Sequence, residues 1–167
     1  GMSLTYIYEV FFGNDKKITD EITKALNKFE AEMQMEYIAG ARQFVESLKE
    51  RDIKCAVVTS SNRPKMQSVY EQHPELPHLF DCILTAELFT RSKPNPDCYQ
   101  LGATIFATDE NHSYVFEDSI NGLKAGHAAK MKVVGLSTTN SRELVAPYST
   151  IVIPDFTSFT VNDLLAL

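Results

Sequence analysis

The segment VFEDSINGLKAGHAAKMKVVGL, from Val115 to Leu136, restricts the fold more than any other stretch of this chain. It opens on a short apolar run, passes through a helix-forming stretch and closes on a second apolar run. Strands that read as continuous apolar runs, not as alternating ones, are buried on both faces, as in a parallel sheet covered by helices above and below. The first run ends on two adjacent carboxylates, Glu117 and Asp118. Doubled negative charge at the end of a buried strand is unfavourable, so something positive belongs there.

The same alternation extends through the chain. IKCAVV, from Ile53 to Val58, is a further apolar run and stops at Thr59-Ser60-Ser61-Asn62. Further strands are predicted at Cys82–Leu84, Ser113–Phe116, Lys132–Gly135 and Thr150–Ile153. Helices are predicted over Ala41–Arg51 (burying Phe44, Val45 and Leu48), from Pro64 to about Gln72, and over Asp97–Phe106, Asn121–Ala129, Arg142–Val145 and Val161–Leu165. Near the amino terminus, Ile18, Ile22, Leu26, Phe29 and Met33 recur at helical spacing. That predicts an amphipathic helix from Ile18 to Met35, with Thr19 as its cap and Asp20 and Glu21 in its first turn. Strands alternating with helices give an α/β, doubly wound, Rossmann-like parallel sheet.

Charge narrows the function classes. Lys and Arg total 16 against 22 Asp and Glu, for a net −6. No basic cluster offsets the deficit, which argues against nucleic acid as a partner. A protein this acidic that handles phosphates must concentrate positive charge locally, through a metal or a placed lysine. No apolar run approaches membrane-spanning length. Cys55, Cys82 and Cys98 fit no metal-ligand spacing, and Cys55 and Cys82 lie in apolar runs, so a reduced, cytoplasmic protein is expected. His73, His78, His112 and His127 show no ligand spacing and read as structural or surface residues.

Ligands of doubly wound sheets bind beyond the carboxyl ends of the strands. Thr59 and Ser60 end one strand, Lys93 in RSKPNPD follows another, and Glu117 and Asp118 end a third. Hydroxyls, an ammonium and paired carboxylates at one rim suit a magnesium-dependent phosphate site. Mg²⁺ takes one or two carboxylates plus phosphate oxygens, a lysine neutralises phosphoryl charge, and a hydroxyl donates to a phosphate oxygen. Each piece has an ordinary reading as well. Ser61 and Asn62 are turn or cap residues, Lys93 is by default a solvated loop lysine, and Asp118 could cap the helix starting near Asn121. Tyr99 and Phe106 are spaced like core residues of a helix and suggest no role.

At VVTSSN, RSKPNPDCY and VFEDSINGLKAGHAAKMKVVGL the sequence resembles the haloacid dehalogenase-like hydrolases, most closely their β-phosphoglucomutase-like branch, over Tyr37 to Ile153. The resemblance implies a phosphatase or phosphomutase acting on a small phosphorylated metabolite with Mg²⁺ as cofactor. It assigns Thr59, Ser60 and Lys93 to the phosphoryl group, Thr59 and Lys93 with catalytic roles. Asp118 would hold Mg²⁺, Glu117 would ligate or orient it, and Gly122 would allow close packing in the following helix.

The family's first motif, Asp-x-Asp-Gly, supplies an aspartyl nucleophile, and no Asp-x-Asp occurs here. The resemblance therefore divides the chain into residues 1–38, a remnant of a helical cap, and residues 39–167, a core lacking its first strand. Leu4–Phe12 has two readings: part of that cap, or a strand in the first-strand position with Glu9 near the nucleophile's place. The missing strand belongs between those ending at Thr59 and Phe116, where unpaired backbone is costly. The neighbours close up, Leu4–Phe12 enters, or another chain does, and an unfilled sheet favours self-association into a homo-oligomer. The chain is then expected to be a weak or inactive enzyme, or a non-catalytic phosphate- and Mg²⁺-binding remnant acting through partners. A third reading leaves Glu117 and Asp118 as capping groups only.

Overall fold

The computed structural model describes residues 4–13 and 15–167. Helices α1 (Leu4–Phe12) and α2 (Lys16–Glu32) form a hairpin tied by the Tyr8 and Thr23 hydroxyls, 2.7 Å apart. The strand reading of Leu4–Phe12 is thereby overturned, and Glu9 lies exposed on α1. The expected Thr19 cap is corrected to Asp15, whose carboxylate accepts from Lys17 N (3.0 Å) and Ile18 N (3.2 Å). An acidic side chain reaching two otherwise orphaned amides starts the helix almost a turn earlier. Thr19 sits inside that turn, donating to Lys16 O. The helix stops at Glu32 because Met33 is extended, short of the expected Met35. Of the apolar stripe, Ile22 and Leu26 are half-buried while Ile18, Phe29 and Met33 are exposed.

The segment after α2 is tethered by the far end of α4 (Arg63–Gln72). Gln72 accepts from Met35 N and donates to Met33 O, both at 3.0 Å. His73 bonds Met35 O through Nε2 and Glu75 through Nδ1, and Tyr37 donates to Glu75. The Met35 carbonyl first, and Glu75 after it, hold the His73 imidazole above its ordinary value. Both ring nitrogens donate only in the charged form. The raised folded value keeps both imidazole donors in place below about pH 6.5, and one of them is lost as pH rises through the folded value, while the Gln72 bonds remain. Hydrogen exchange of residues 33–38, corrected for intrinsic rates, is expected to speed up above neutrality in the wild type. In His73→Gln the protection should no longer vary with pH, and pH-independent protection in the wild type would refute the imidazole's part in the tether.

Gly40 enters α3 (Ala41–Lys49) at φ +76°, where a Cβ would lie 2.8 Å from the backbone of Phe156. Only glycine fits a left-handed turn packed this closely. Phe156 N donates to Ala39 O across the same contact. Strand β1 (Ala56–Val58) follows, then α4, α5 (Leu76–Leu79) and β2 (Cys82–Leu84). Next come α6 (Asp97–Ile105), β3 (Tyr114–Glu117), α7 (Ile120–Ala128), β4 (Lys132–Leu136), α8 (Arg142–Val145), β5 (Ile151–Ile153) and α9 (Val161–Leu165). All strand pairs are parallel. β1 pairs with β2, while β3, β4 and β5 form a second sheet in that order.

Successive residues of β4 point to opposite faces. Val133 joins Cys98, Tyr99, Val115, Leu123 and Val145 on one side, and Val134 joins Phe44, Leu48, Ile153, Val161 and Leu164 on the other. This is the covered parallel sheet that the apolar runs required. Val45, expected inside, is only half-buried. Burial pushes the three free thiols up, Cys55 to about 11. No helix among the described residues is long and apolar enough to cross a membrane.

The sheet comes in two pieces, and β1 and β3 are not hydrogen-bonded to each other. Neither closing-up of the neighbours nor entry of Leu4–Phe12 is seen. What crosses from one strand end to the other is a side chain, that of Lys93.

Candidate functional site

Strand β1 delivers Thr59, whose amide extends the ladder by donating to Leu84 O at 2.9 Å. Its hydroxyl oxygen accepts from Ser61 N (3.0 Å), a local turn that leaves the hydroxyl proton available to a ligand. Ser60 beside it is exposed. Asn62 caps α4, accepting from Lys65 N, as its residue type suggested.

Lys93 is not the solvated loop lysine of the ordinary reading. It is 6% exposed, and its ammonium donates to Val58 O at 3.1 Å and to Glu117 Oε1. The loop that carries it is fixed by a two-point Arg91–Asp97 pair, at 2.9 and 2.7 Å. Val58 immediately precedes Thr59, and Glu117 immediately precedes Asp118. Lys93 therefore bonds to the last residue of each strand that leads into a candidate site residue.

The Glu117 carboxylate is fully engaged by donors. Oε1 takes Lys93 and the Tyr99 hydroxyl (2.7 Å), and Oε2 takes Ser119 N (3.2 Å) and Ser119 Oγ (3.0 Å). Burial alone would raise its pKa, but the Lys93 ammonium and these hydrogen bonds outweigh it and hold the group below the usual carboxylate value. Burial and the facing Glu117 charge push the Tyr99 phenol strongly up, so it stays a neutral donor. Room for this carboxylate comes from Gly122, where a Cβ would lie 2.0 Å from the Glu117 carboxyl carbon. The glycine expected to permit close packing does so against the charged group itself.

Asp118 does not cap α7, because Ser119 does, accepting from Gly122 N at 3.1 Å. Its Oδ2 instead accepts from Thr138 (3.2 Å) and Thr139 (2.5 Å), and its backbone carbonyl accepts from Asn140 Nδ2 (2.9 Å). Oδ1 takes no hydrogen bond from the described residues. Thr138, Thr139 and Asn140 were missed in the sequence, although they too are polar residues just past an apolar strand, β4. No sequence signal marked Tyr99, which carries only core spacing.

A half-buried carboxylate with one uncommitted oxygen can serve as a monodentate cation ligand. No group of three or more His, Cys, Asp or Glu is arranged to hold a metal among the described residues. That donor set fits Mg²⁺, which keeps several waters and shares its shell with a phosphate, better than Zn²⁺, which needs a protein cage.

Comparison with known proteins bears on the family and the fold. The family model described as haloacid dehalogenase-like hydrolase matches residues 1–136. Validoxylamine A 7'-phosphate phosphatase of Streptomyces hygroscopicus subsp. limoneus is 30% identical over 109 residues, 65% of this chain and 51% of the relative. The chain spans about half or less of the curated relatives it matches. A haloacid dehalogenase family IA, variant 3 hydrolase from Entamoeba histolytica superposes with a TM-score of 0.83 at 20% identity, covering 99% of this chain and 78% of its own. CbbY from Rhodobacter sphaeroides, solved with phosphate, gives 0.75 at 20% identity, covering 87% and 68%. These two likenesses concern the fold. With most of its length matched by the family model, the chain belongs to the haloacid dehalogenase-like hydrolases.

Proposed function

We propose that this protein is built for Mg²⁺-dependent phosphoryl chemistry on a small phosphorylated metabolite, of the phosphatase or phosphomutase kind found in the β-phosphoglucomutase-like branch. One observation carries the reading: Lys93 is buried between the ends of β1 and β3 while two donors and a carboxylate, Thr59, Ser60 and Asp118, flank those ends. Two of the lysine's three N–H groups are taken by Val58 and Glu117, and the third is available to a phosphate oxygen. The Thr59 and Ser60 hydroxyls donate to the same phosphoryl group. Asp118 ligates the metal, and Glu117 acts by fixing Lys93. When bound, Mg²⁺ neutralises charge on the phosphoryl oxygens.

Residues 1–38 are read as part of a helical cap and residues 39–167 as the core that carries the site. The chain is read as reduced and cytoplasmic, in keeping with its three free cysteines. Within these 167 residues there is no Asp-x-Asp nucleophile, so a second reading of this stretch taken by itself is a binding module without turnover. The purified chain is thus expected to bind Mg²⁺ and inorganic phosphate in calorimetry, with little or no hydrolysis of p-nitrophenyl phosphate. Asp118→Asn should weaken Mg²⁺ at least about tenfold with the fold intact. Failure to bind either ligand, or Mg²⁺ affinity indifferent to Asp118, would sink the proposal, and robust turnover lost in Asp118→Asn would remove the binding-module reading.

A further inference from the structure

Tyr99 lies on α6 at 7% exposure, with its hydroxyl 2.7 Å from Glu117 Oε1 and its ring beneath the Lys93 ammonium, 4.9 Å from Nζ to the ring centroid. It touches both members of the ion pair at once. A phenol needs only one partner for its hydroxyl when buried, and core packing alone needs no hydroxyl at all. Here the donor lands on the one carboxylate oxygen that also receives the lysine.

That coincidence has an electrostatic consequence. A lone carboxylate at contact distance draws an ammonium into a closed pair and weakens its attraction for any other anion. A second donor on the same oxygen takes up part of its acceptor capacity, so less of the lysine's charge is consumed by Glu117. The ring face meanwhile attracts the ammonium and limits where it can sit.

We infer that Tyr99 is a positioning residue for Lys93, its hydroxyl sharing Glu117 Oε1 and its ring supporting the ammonium so that one N–H stays directed to a phosphate ligand. The inference rests on the assignment of Lys93 to phosphate, and the experiment separates the two. Inorganic phosphate with Mg²⁺ is titrated into the full chain, Tyr99→Phe and Lys93→Met, alongside ¹⁵N NMR of the lysine ammonium groups.

Tyr99→Phe keeps the ring and is expected to weaken phosphate about three- to tenfold, with a displaced and faster-exchanging Lys93 ammonium signal. Lys93→Met should abolish binding at a temperature where circular dichroism shows the variant folded. Phosphate binding that survives Lys93→Met overturns the phosphate assignment. Binding lost in Lys93→Met, with affinity and Lys93 signal unchanged in Tyr99→Phe, overturns the Tyr99 role alone. Should Tyr99→Phe fold poorly, the wild-type chain still decides: through-space coupling between the Lys93 ammonium protons and the Tyr99 ring supports the role, and its absence overturns it.

Discussion

Lys93→Met is expected to lower stability by about 3–5 kcal/mol, the usual cost of removing one member of a buried ion pair. Methionine nearly preserves the stem but leaves Glu117, whose side chain is 10% exposed, without its cation, and Val58 O without its donor. In the wild type the Glu117 pKa is depressed. Its contribution is therefore present above the unfolded value of about 4.3 and lost as pH falls through the folded one. In the variant the burial that opposes ionisation is no longer outweighed by the ammonium, so the Glu117 share of the acid limb should disappear, while the share from other depressed carboxylates such as Asp81 and Asp97 remains. Urea denaturation measures this directly. Adding Glu117→Gln should restore part of the loss, because a neutral amide does not need the ammonium. A cost below about 1 kcal/mol would mean that the pair behaves like a solvated surface bridge.

The second large effect runs against helix propensity. Alanine is favoured over glycine inside a helix by roughly 1 kcal/mol, yet Gly122→Ala is expected to destabilise by about 2–3 kcal/mol. A methyl group 2.0 Å from the Glu117 carboxyl carbon must push that side chain away from Lys93, Tyr99 and Ser119. The end of a free glutamate would simply swing aside, but this one is held by four donors. In a Glu117→Ala background the obstacle is gone, so adding Gly122→Ala should stabilise by about 0.5–1 kcal/mol. Thermal denaturation of the two pairs of variants shows whether the sign reverses. The same sign in both backgrounds would show that the glycine serves something other than the carboxylate.

Much of the fold could be read from local pattern. Strand β2 and helices α8 and α9 fall on the expected residues, β1 and β5 are shorter than expected, β3 is shifted by one residue and β4 runs one residue further. Apolar run length and the spacing of polar stops are properties of neighbouring residues, and they survive folding unchanged. Helix α2 began early because the deciding cap, Asp15, lies just before the apolar stripe that guided the reading. Leu4–Phe12 was ambiguous because β-branched and aromatic residues suit strands by propensity, while packing against α2 made it a helix.

The sequence by itself determined the parallel α/β class, the family, and the residue types that end each strand. Those follow from periodicity and from motifs written in consecutive letters. Tertiary structure alone decided that the sheet divides between β1 and β3, that Lys93 is buried across that division, and that Tyr99 joins it on Glu117. It also decided that Asp118 faces Thr138 and Thr139 and does not cap a helix. The reason is range: the Lys93, Tyr99 and Asp118 partnerships join residues about twenty or more positions apart, and no local pattern encodes which distant side chains burial will bring together.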